Sequence, residues 1–297
     1  MLKMKKFVAL LMVLVLVASV PAIRVHAKGT CLITREDLLG MDKLTLLSTL
    51  IDNGLTLPED FEEHIEIAEG FVFEYTPMIM DGRVDPSIEL FNYNQSNELL
   101  SNLGTVLSNM GMVQSSGINA RSTYTLQHNI SIGSWDNAYR YYNCYAYSIG
   151  KTSGLQPGTL SGENFSLSMD IGTMADVVLE DLAAEGYWGM KTTTKPTALP
   201  DQYFKIIAIR KDTNNVDYHF MRPYNGTLTS WSHKPGGTQP LKWNYTSPAA
   251  EIWSNEHVVN GVAYAPTVTY ESTIYYILYK HQSDPGVQPW SIDPDIQ

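Results

Sequence analysis

A cysteine and two histidines are the residues of this chain whose types and spacing could do nucleophilic chemistry together. Cys144 is one of only two cysteines in 297 residues and lies in the aromatic stretch 141–148. His219 and His233 follow in two further short aromatic stretches. A thiol attacks as its thiolate, and its ordinary pKa of about 8.5 must be lowered by a histidine or by a helix N-terminus. The three residues therefore predict a cysteine nucleophile with a histidine base.

The predicted positions of these residues suit such a site. Cys144 begins a predicted short helix over 144–150, where main-chain N–H groups can hold an oxyanion. His219 lies on a predicted strand over 217–222 and shares a face with Asp217. His233 lies on the next predicted strand, 228–233, across a hairpin turn at residues 225–226. We expect His219 to accept the thiol proton and His233 to orient the His219 imidazole.

This order of residues resembles the papain-like cysteine peptidases, and most closely the bacterial cell-wall peptidases of the NlpC type. In that family a cysteine opens a helix, a histidine begins a strand, and a second histidine often follows on the adjacent strand. The resemblance covers roughly residues 130–240. It implies a papain-like domain, in which a helix bearing Cys144 packs on an antiparallel sheet bearing His219, and hydrolysis or transfer at the amide bond of a peptide or a peptidoglycan peptide.

Residues flanking the three are candidates for secondary roles. We expect Asn143, Tyr145 and Trp231 to contact the substrate, since they neighbour the nucleophile or the second histidine. Other asparagines are alternatives. Asn137, like Asn143, could bond an oxyanion, and Asn244 or Asn255 could replace His233 as the third member of the site.

Three other interpretations of Cys144 remain open. It could be an inert buried thiol, because cysteine is among the most buried residue types. It could form a disulfide with Cys31 in an exported chain. It could also bind zinc together with His219 and His233, although close ligand pairs such as His-x-x-x-His are missing from the sequence. We expect no metal and no cofactor.

A different class of function is a non-catalytic binding module. The chain contains 18 tyrosines and only 8 phenylalanines. Tyrosine and tryptophan combine an apolar ring with a polar group, which suits grooves that bind glycans or peptides. The residues that would line such a groove are Tyr141, Tyr142, Tyr145, Trp231 and Trp243.

The sequence divides into an acidic helical part and a part rich in strands. Apolar spacing predicts helices within residues 34–53, 58–72, 85–91 and 99–110. After a polar stretch at 114–119, the composition shifts to tyrosine, threonine and valine with glycine and proline. There we expect a helix over 173–185 and strands over 203–210, 217–222, 228–233 and 267–278. This order predicts an α+β fold.

The first residues are typical of a secretory signal peptide. Basic residues precede an apolar run over 7–20, which is shorter than the about 20 residues of a membrane span. An uncleaved anchor is the alternative. We therefore predict a signal peptide at 1–27, an acidic helical region at 28–115 that is a propeptide or a docking or targeting module, a papain-like domain at 116–282, and an irregular tail at 283–297.

Charge narrows the range of partners. The chain has 20 Lys and Arg against 31 Asp and Glu, a net charge of −11. Nucleic acids and anionic membrane surfaces attract clusters of Lys and Arg, so neither is an expected partner. We expect a secreted or cell-surface protein with no membrane span in the mature chain.

Overall fold

The computed structural model describes residues 33–82, 84–88, 90–113 and 124–285. The predicted signal peptide, Cys31 and most of the predicted tail lie outside the described residues, as does the polar stretch at 114–119. The chain forms two compact units, residues Met1–Leu38 and Leu39–Gln297. Within the first unit, Thr34 and Asp37 cap a helix reciprocally: the Thr34 N–H donates to Asp37 Oδ2 at 2.8 Å, and the Asp37 N–H donates to Thr34 Oγ1 at 3.2 Å.

The described residues are a mixture of helices and antiparallel strands, which confirms the α+β prediction. The helices are α1 (Arg35–Leu39), α2 (Lys43–Asp52), α3 (Glu59–Glu63), α4 (Ile65–Met80), α5 (Asn94–Asn109), α6 (Cys144–Ile149) and α7 (Ile171–Ala184). No helix in the described part of the chain is long and apolar enough to cross a bilayer.

A seven-stranded sheet carries the site. Its strands are β1 (Asn129–Ser131), β2 (Tyr187–Thr192), β3 (Lys205–Lys211), β4 (Tyr218–Pro223), β5 (Trp231–His233), β6 (Leu241–Trp243) and β11 (Tyr275–His281), in the order β1-β6-β5-β4-β3-β11-β2. Two short pairs complete the strands: β7 (Trp253–Ser254) with β10 (Thr269–Tyr270), and β8 (His257–Val259) with β9 (Val262–Tyr264). The main core lies between the sheet and helices α6 and α7, and includes Cys144, Met174, Ile207, Phe220 and Ile277.

The predicted hairpin and the short cysteine helix are confirmed. Strands β4 and β5 pair antiparallel, with Met221 opposite His233, and Asn225 and Gly226 both have positive φ in the turn between them. Helix α6 begins at Cys144 because the Asn143 side chain caps it, accepting from the Ala146 N–H at 3.0 Å. It ends at Gly150, which has a φ of 78°.

Several predicted boundaries are wrong. The periodic stretch at 34–53 contains two helices, because Asp42 caps a second start by accepting from the Thr45 N–H. The stretch from residue 58 is likewise divided, at His64. Helix α7 begins at Ile171 and not at residue 173, because Asp170 caps it. The predicted strand over 267–278 is two strands, β10 and β11, in two different sheets.

The helix predicted over 85–91 is wrong in a way that matters for the site. The described residues there form turns and bends. The Ser87 N–H and hydroxyl both donate to Asp85 Oδ1, and the Phe91 N–H and carbonyl both bond the Asn97 side chain. Side chains therefore take the main-chain groups that a helix would use. The segment 90–93, between helices α4 and α5, therefore has no helical structure, and its residue Asn92 contacts His219 and Cys144.

Close packing of Pro86 on α5 depends on a glycine. A Cβ at Gly104 would lie 2.2 Å from Cγ of Pro86. We expect Gly104→Ala to lower the free energy of unfolding by about 1–3 kcal/mol, because the added methyl group overpacks the contact. Urea denaturation measures this change.

Gly70 provides the matched control, since it also lies within a helix but has open space where a Cβ would be. Gly70→Ala is expected to raise the free energy of unfolding by about 0.5–1 kcal/mol. Equal responses to the two substitutions would contradict the packing argument.

Candidate active site

The two histidines of the predicted site are in contact. Both lie on the same face of the sheet and are fully buried, and His219 Nε2 is hydrogen-bonded to His233 Nδ1. The ring centroids are 4.7 Å apart and the rings are nearly perpendicular. The ring of His219 also stacks on that of Tyr270, with the centroids 4.9 Å apart. The structure thus brings His219 and His233 together as expected.

A third residue, Asn129 on β1, extends this contact into a chain of hydrogen bonds. Asn129 Oδ1 bonds His233 Nε2, and Asn129 Nδ2 donates to Glu256 Oε1 at 2.8 Å. Glu256 is fully buried and accepts three further hydrogen bonds. The donors are the Tyr124 hydroxyl and the main-chain N–H groups of Gln127 and His128.

The buried carboxylate of Glu256 fixes the direction of every hydrogen bond from Glu256 through Asn129 and His233 to His219. A carboxylate only accepts, so Asn129 turns its NH₂ to Glu256 and its oxygen to His233. His233 Nε2 must then donate, which makes Nδ1 of the neutral ring an acceptor. His219 therefore donates through Nε2, and its Nδ1 carries the free lone pair. The basic nitrogen of His219 consequently points away from His233.

That lone pair is directed at Asn92, a residue of the helical region. Asn92 Nδ2 lies 3.2 Å from His219 Nδ1 and also donates to the Tyr218 carbonyl. The oxygen of the same carboxamide accepts the Cys144 N–H at 3.1 Å and the Gly236 N–H at 3.3 Å. A single carboxamide thus lies between His219 and the first residue of helix α6.

The main chain of Asn92 is held as firmly as its side chain. Its N–H donates to Asp217 Oδ1 at 3.2 Å. Its carbonyl accepts from Asn143 Nδ2 at 2.9 Å and from the Tyr218 hydroxyl at 3.1 Å. Asp217, predicted to share a face with His219, therefore contacts the same residue as His219.

The thiol of Cys144 is free and fully buried. Burial is the main cause that raises its pKa well above the ordinary value, and the nearby carboxyl of Asp217 raises it further. The Phe220 N–H and the Lys234 ammonium act in the opposite direction and are weaker. Burial therefore favours the protonated form of the thiol.

Lys234 connects the two main-chain segments that supply the N–H groups. Its ammonium donates to the carbonyls of Tyr142 and Gly236 and lies 4.5 Å from the centroid of the Tyr142 ring. The lysine follows His233 directly and is fully buried. Lys234 thereby links the main chain just before Cys144 to the turn that contains Gly236.

The residues predicted to bind substrate have structural contacts instead. Tyr145 is buried, and its hydroxyl donates to Asp181 Oδ2 at 2.7 Å. Trp231 is buried, and its Nε1 donates to the Leu228 carbonyl at 2.9 Å. Asn143 caps α6 and holds the Asn92 carbonyl. None of the three lines an open surface in this structure.

The asparagines offered as alternatives bond elsewhere. Asn244 Nδ2 donates to the Gln127 carbonyl, and Asn255 Oδ1 accepts from the main chain at 267 and 268. Asn137 accepts from Trp135 Nε1. Within the described residues no group of three or more His, Cys, Asp or Glu side chains could hold a metal ion.

A separate cavity of about 1090 Å³ opens near the other end of α6. Its lining includes Tyr147, Arg222 and Ser232. Neither Cys144 nor the two histidines line this cavity. Its size is therefore no evidence that it belongs to the candidate site.

The histidine pair makes stability depend on pH. Burial lowers the pKa of His233 to about 3, and burial together with the neighbouring His233 lowers the pKa of His219 well below its usual value. The unfolded chain therefore binds more protons between pH 6.5 and 3, and the stabilisation is present above that window and lost as the pH falls through it.

We expect the wild type to lose stability as the pH falls below 6.5, with each histidine contributing a slope of at most about 1.4 kcal/mol per pH unit. His233→Asn keeps an acceptor for His219 Nε2 but does not titrate, so its stability should fall less steeply. Unfolding in urea at several pH values measures both slopes. Parallel slopes would contradict the assignment of neutral histidines.

The chain was compared with protein-family models, with curated proteins and with solved structures, and none of them matches it.

Proposed function

We propose that this chain is a secreted thiol hydrolase or transferase that acts on an amide bond of a peptide or a peptidoglycan peptide. Cys144 is the nucleophile, His219 the base, and His233 the residue that orients His219. The proposal includes the papain-like arrangement of the NlpC type for the helix α6 and the strands β4 and β5.

One observation carries the proposal: the directed chain of hydrogen bonds from Glu256 through Asn129 and His233 to His219. Its last free lone pair, on His219 Nδ1, points to the carboxamide that also takes the Cys144 N–H. A general base must present a lone pair beside the nucleophile, and a third group must hold its ring in one tautomer. The hydrogen-bond chain supports the second requirement, because it holds the neutral His219 ring in one tautomer, and it directs the His219 lone pair at the carboxamide that also accepts the Cys144 N–H.

The same geometry supplies an oxyanion hole. The N–H groups of Cys144 and Gly236 converge on one oxygen atom, at 3.1 and 3.3 Å. Two preorganised main-chain donors, one of them from the nucleophile itself, stabilise the negative oxygen of a tetrahedral intermediate. Asn143, which caps α6, and Lys234, which ties the two segments together, hold these donors in place.

The described chain represents a closed state of this enzyme. Asn92 fills the position that a substrate amide would take, and the buried thiol has a raised pKa. Catalysis requires the segment 90–93 to leave, after which water or substrate contacts the thiol and His219 Nδ1 can take its proton. The helical region then acts as the cover of the site, as expected of a propeptide.

The alternative of a non-catalytic binding module has less support. Three of the five aromatic residues proposed for its groove, Tyr145, Trp231 and Trp243, are buried in the core. Tyr141, at 71% exposure, is the clearest surface residue of the five.

The test uses the full chain and the variant Asn92→Ala, each with and without Cys144→Ser. Hydrolysis of blocked peptides and of peptidoglycan fragments by Asn92→Ala, lost in the double variant, supports the proposal. Alkylation by iodoacetamide against pH gives a second readout: the apparent pKa of the thiol should fall below about 8.5 once Asn92 is removed. An unreactive thiol and no hydrolysis in Asn92→Ala would overturn the proposal.

A further inference from the structure

The carboxamide of Asn92 has a partner for every one of its polar atoms inside the site. Its oxygen accepts from the N–H groups of Cys144 and Gly236, and its nitrogen faces the Tyr218 carbonyl and His219 Nδ1. Asn92 is 1% exposed, so these contacts are made without solvent. We propose that the site is built to hold a primary carboxamide, the terminal –CONH₂ group, and that Asn92 is the chain's own occupant of it. This inference rests on the proposed function.

The orientation of the carboxamide follows from its donors. Two main-chain N–H groups, of Cys144 and Gly236, can face only the oxygen, so the nitrogen must face the opposite side. That side carries a carbonyl and the free lone pair of His219 Nδ1, which are both acceptors. Reversing the group would set donors against donors and acceptors against acceptors.

The two acceptors on the nitrogen side distinguish classes of amide. A primary carboxamide has two N–H groups and satisfies the Tyr218 carbonyl and His219 together. A peptide-bond nitrogen has one N–H and a carbon substituent, which would point at one of these two acceptors. A buried acceptor left without its partner weakens binding, as in sites that reject analogues lacking a donor. The geometry therefore favours side-chain carboxamides over peptide bonds.

The chemistry that such a site performs is deamidation. The Cys144 sulfur attacks the carboxamide carbon and forms a C–S bond. As the carbon becomes tetrahedral, the carboxamide N–H turns away from His219 Nδ1, and the thiol proton passes to the lone pair that it leaves. The negative oxygen lies between the N–H groups of Cys144 and Gly236. The C–N bond then breaks, and the proton on His219 goes to the nitrogen, which leaves as ammonia. Water hydrolyses the thioester, so carboxamide and water give carboxylic acid and ammonia, and the thiol is restored.

Small amides test the binding site without any need for catalysis. Asn92→Ala removes the carboxamide and leaves its partners, so acetamide should refill the space. We expect acetamide to raise the Tm of Asn92→Ala more than N-methylacetamide or acetate does at matched concentration, because binding to the folded state stabilises it. Asn102→Ala is the matched control, since Asn102 belongs to the same helical region but bonds only Thr56 among the contacts described. It should show no preference among the three compounds.

The outcomes are decisive in either direction. A rise specific to acetamide supports the carboxamide site, whereas equal or larger rises with N-methylacetamide, or no rise at all, overturn it. If Asn92→Ala does not fold alone, the same three compounds are added during refolding. Recovery with acetamide only supports the proposal, and recovery with all or none overturns it.

Ammonia release separates this inference from the proposed function. Asn92→Ala is incubated with a blocked glutaminyl peptide, a blocked asparaginyl peptide and free glutamine, which offer the same group from different sources. Release from any of them that is lost in Asn92→Ala with Cys144→Ser supports deamidation. Acetamide rescue with neither ammonia release nor peptide-bond cleavage would keep the carboxamide site and overturn the thiol hydrolase. Cleavage of peptide bonds with neither acetamide rescue nor ammonia release would keep the thiol hydrolase and overturn the carboxamide site.

Discussion

Replacing His219 with Ala is expected to lower kcat/KM for amide hydrolysis by about 10²–10⁴-fold, the usual contribution of a general base. The reason is the free lone pair at His219 Nδ1. None of the other hydrogen-bonded residues between Glu256 and His219 has such a lone pair. The measurement is made in the Asn92→Ala chain, where the site is open, and the rate of Cys144 alkylation near neutral pH should fall in parallel.

His281→Ala is the control for this substitution. His281 lies at the end of β11, contacts Ser283 and Tyr187, and is outside the hydrogen-bond chain. Its loss should leave kcat/KM within a few-fold of the parent. Comparable losses for His219→Ala and His281→Ala, or an unchanged rate for His219→Ala, would remove His219 from the mechanism.

The second large effect is expected at Glu256. Glu256→Gln should lower the free energy of unfolding by about 2–5 kcal/mol, because each carboxylate oxygen now accepts two hydrogen bonds. The amide NH₂ of glutamine would confront two of these donors, and buried donors without acceptors cost about 1–3 kcal/mol each. Urea unfolding measures the loss.

Glu251→Gln is the matched control, since Glu251 is exposed, and we expect a change within about 0.5 kcal/mol. A further readout is the direction of the hydrogen bonds between Glu256 and His219. When no carboxylate holds Asn129, its carboxamide can turn around, which would reverse the tautomers of both histidines. The activity of Glu256→Gln, measured in the Asn92→Ala chain under conditions where the variant is still folded, should therefore fall as well. Full stability or full activity would show that Glu256 does not fix the chain of hydrogen bonds.

The parts of the site that lie close together in sequence could be predicted. Asn143 before Cys144 and Gly150 after it are local signals, and they bound the helix α6 as expected. The turn at residues 225–226 sets the pairing of β4 with β5, and this pairing brings His219 and His233 to one face. Local capping and turn geometry, which a sequence encodes directly, decided these features.

The parts that connect distant segments could not be predicted. Asn92 lies 52 residues before Cys144, and Asn129 lies 127 residues before Glu256. Nothing in the residues next to them indicates their partners. The apolar spacing at 85–91 even predicted a helix, since Leu90 and Phe91 are buried for packing reasons while side chains take over the main-chain hydrogen bonds. Tertiary contacts overrode the periodic pattern in this segment.

The aromatic residues show a second limit of the sequence. Tyrosine and tryptophan near Cys144 and His233 predicted a groove, but the rings of Tyr145 and Trp231 fill the interior and their polar atoms bond Asp181 and a main-chain carbonyl. A tyrosine or tryptophan ring can lie on a solvent-exposed surface or in the core, provided that its polar atom has a hydrogen-bond partner. The residue type alone therefore does not predict which of the two it occupies.

The two donors on the Asn92 oxygen belong to the main chain, and this affects how such a protein can change in evolution. Any amino acid other than proline carries an N–H, so side-chain replacement at position 236 would leave that donor chemically present. Proline is the exception, and a proline already stands immediately before it, at Pro235. Exchange of the order Pro235-Gly236 would remove one of the two donors while leaving the composition of the chain unchanged. A chain with Gly-Pro at these two positions would therefore keep only the Cys144 N–H of the two donors, even where the cysteine and both histidines persisted.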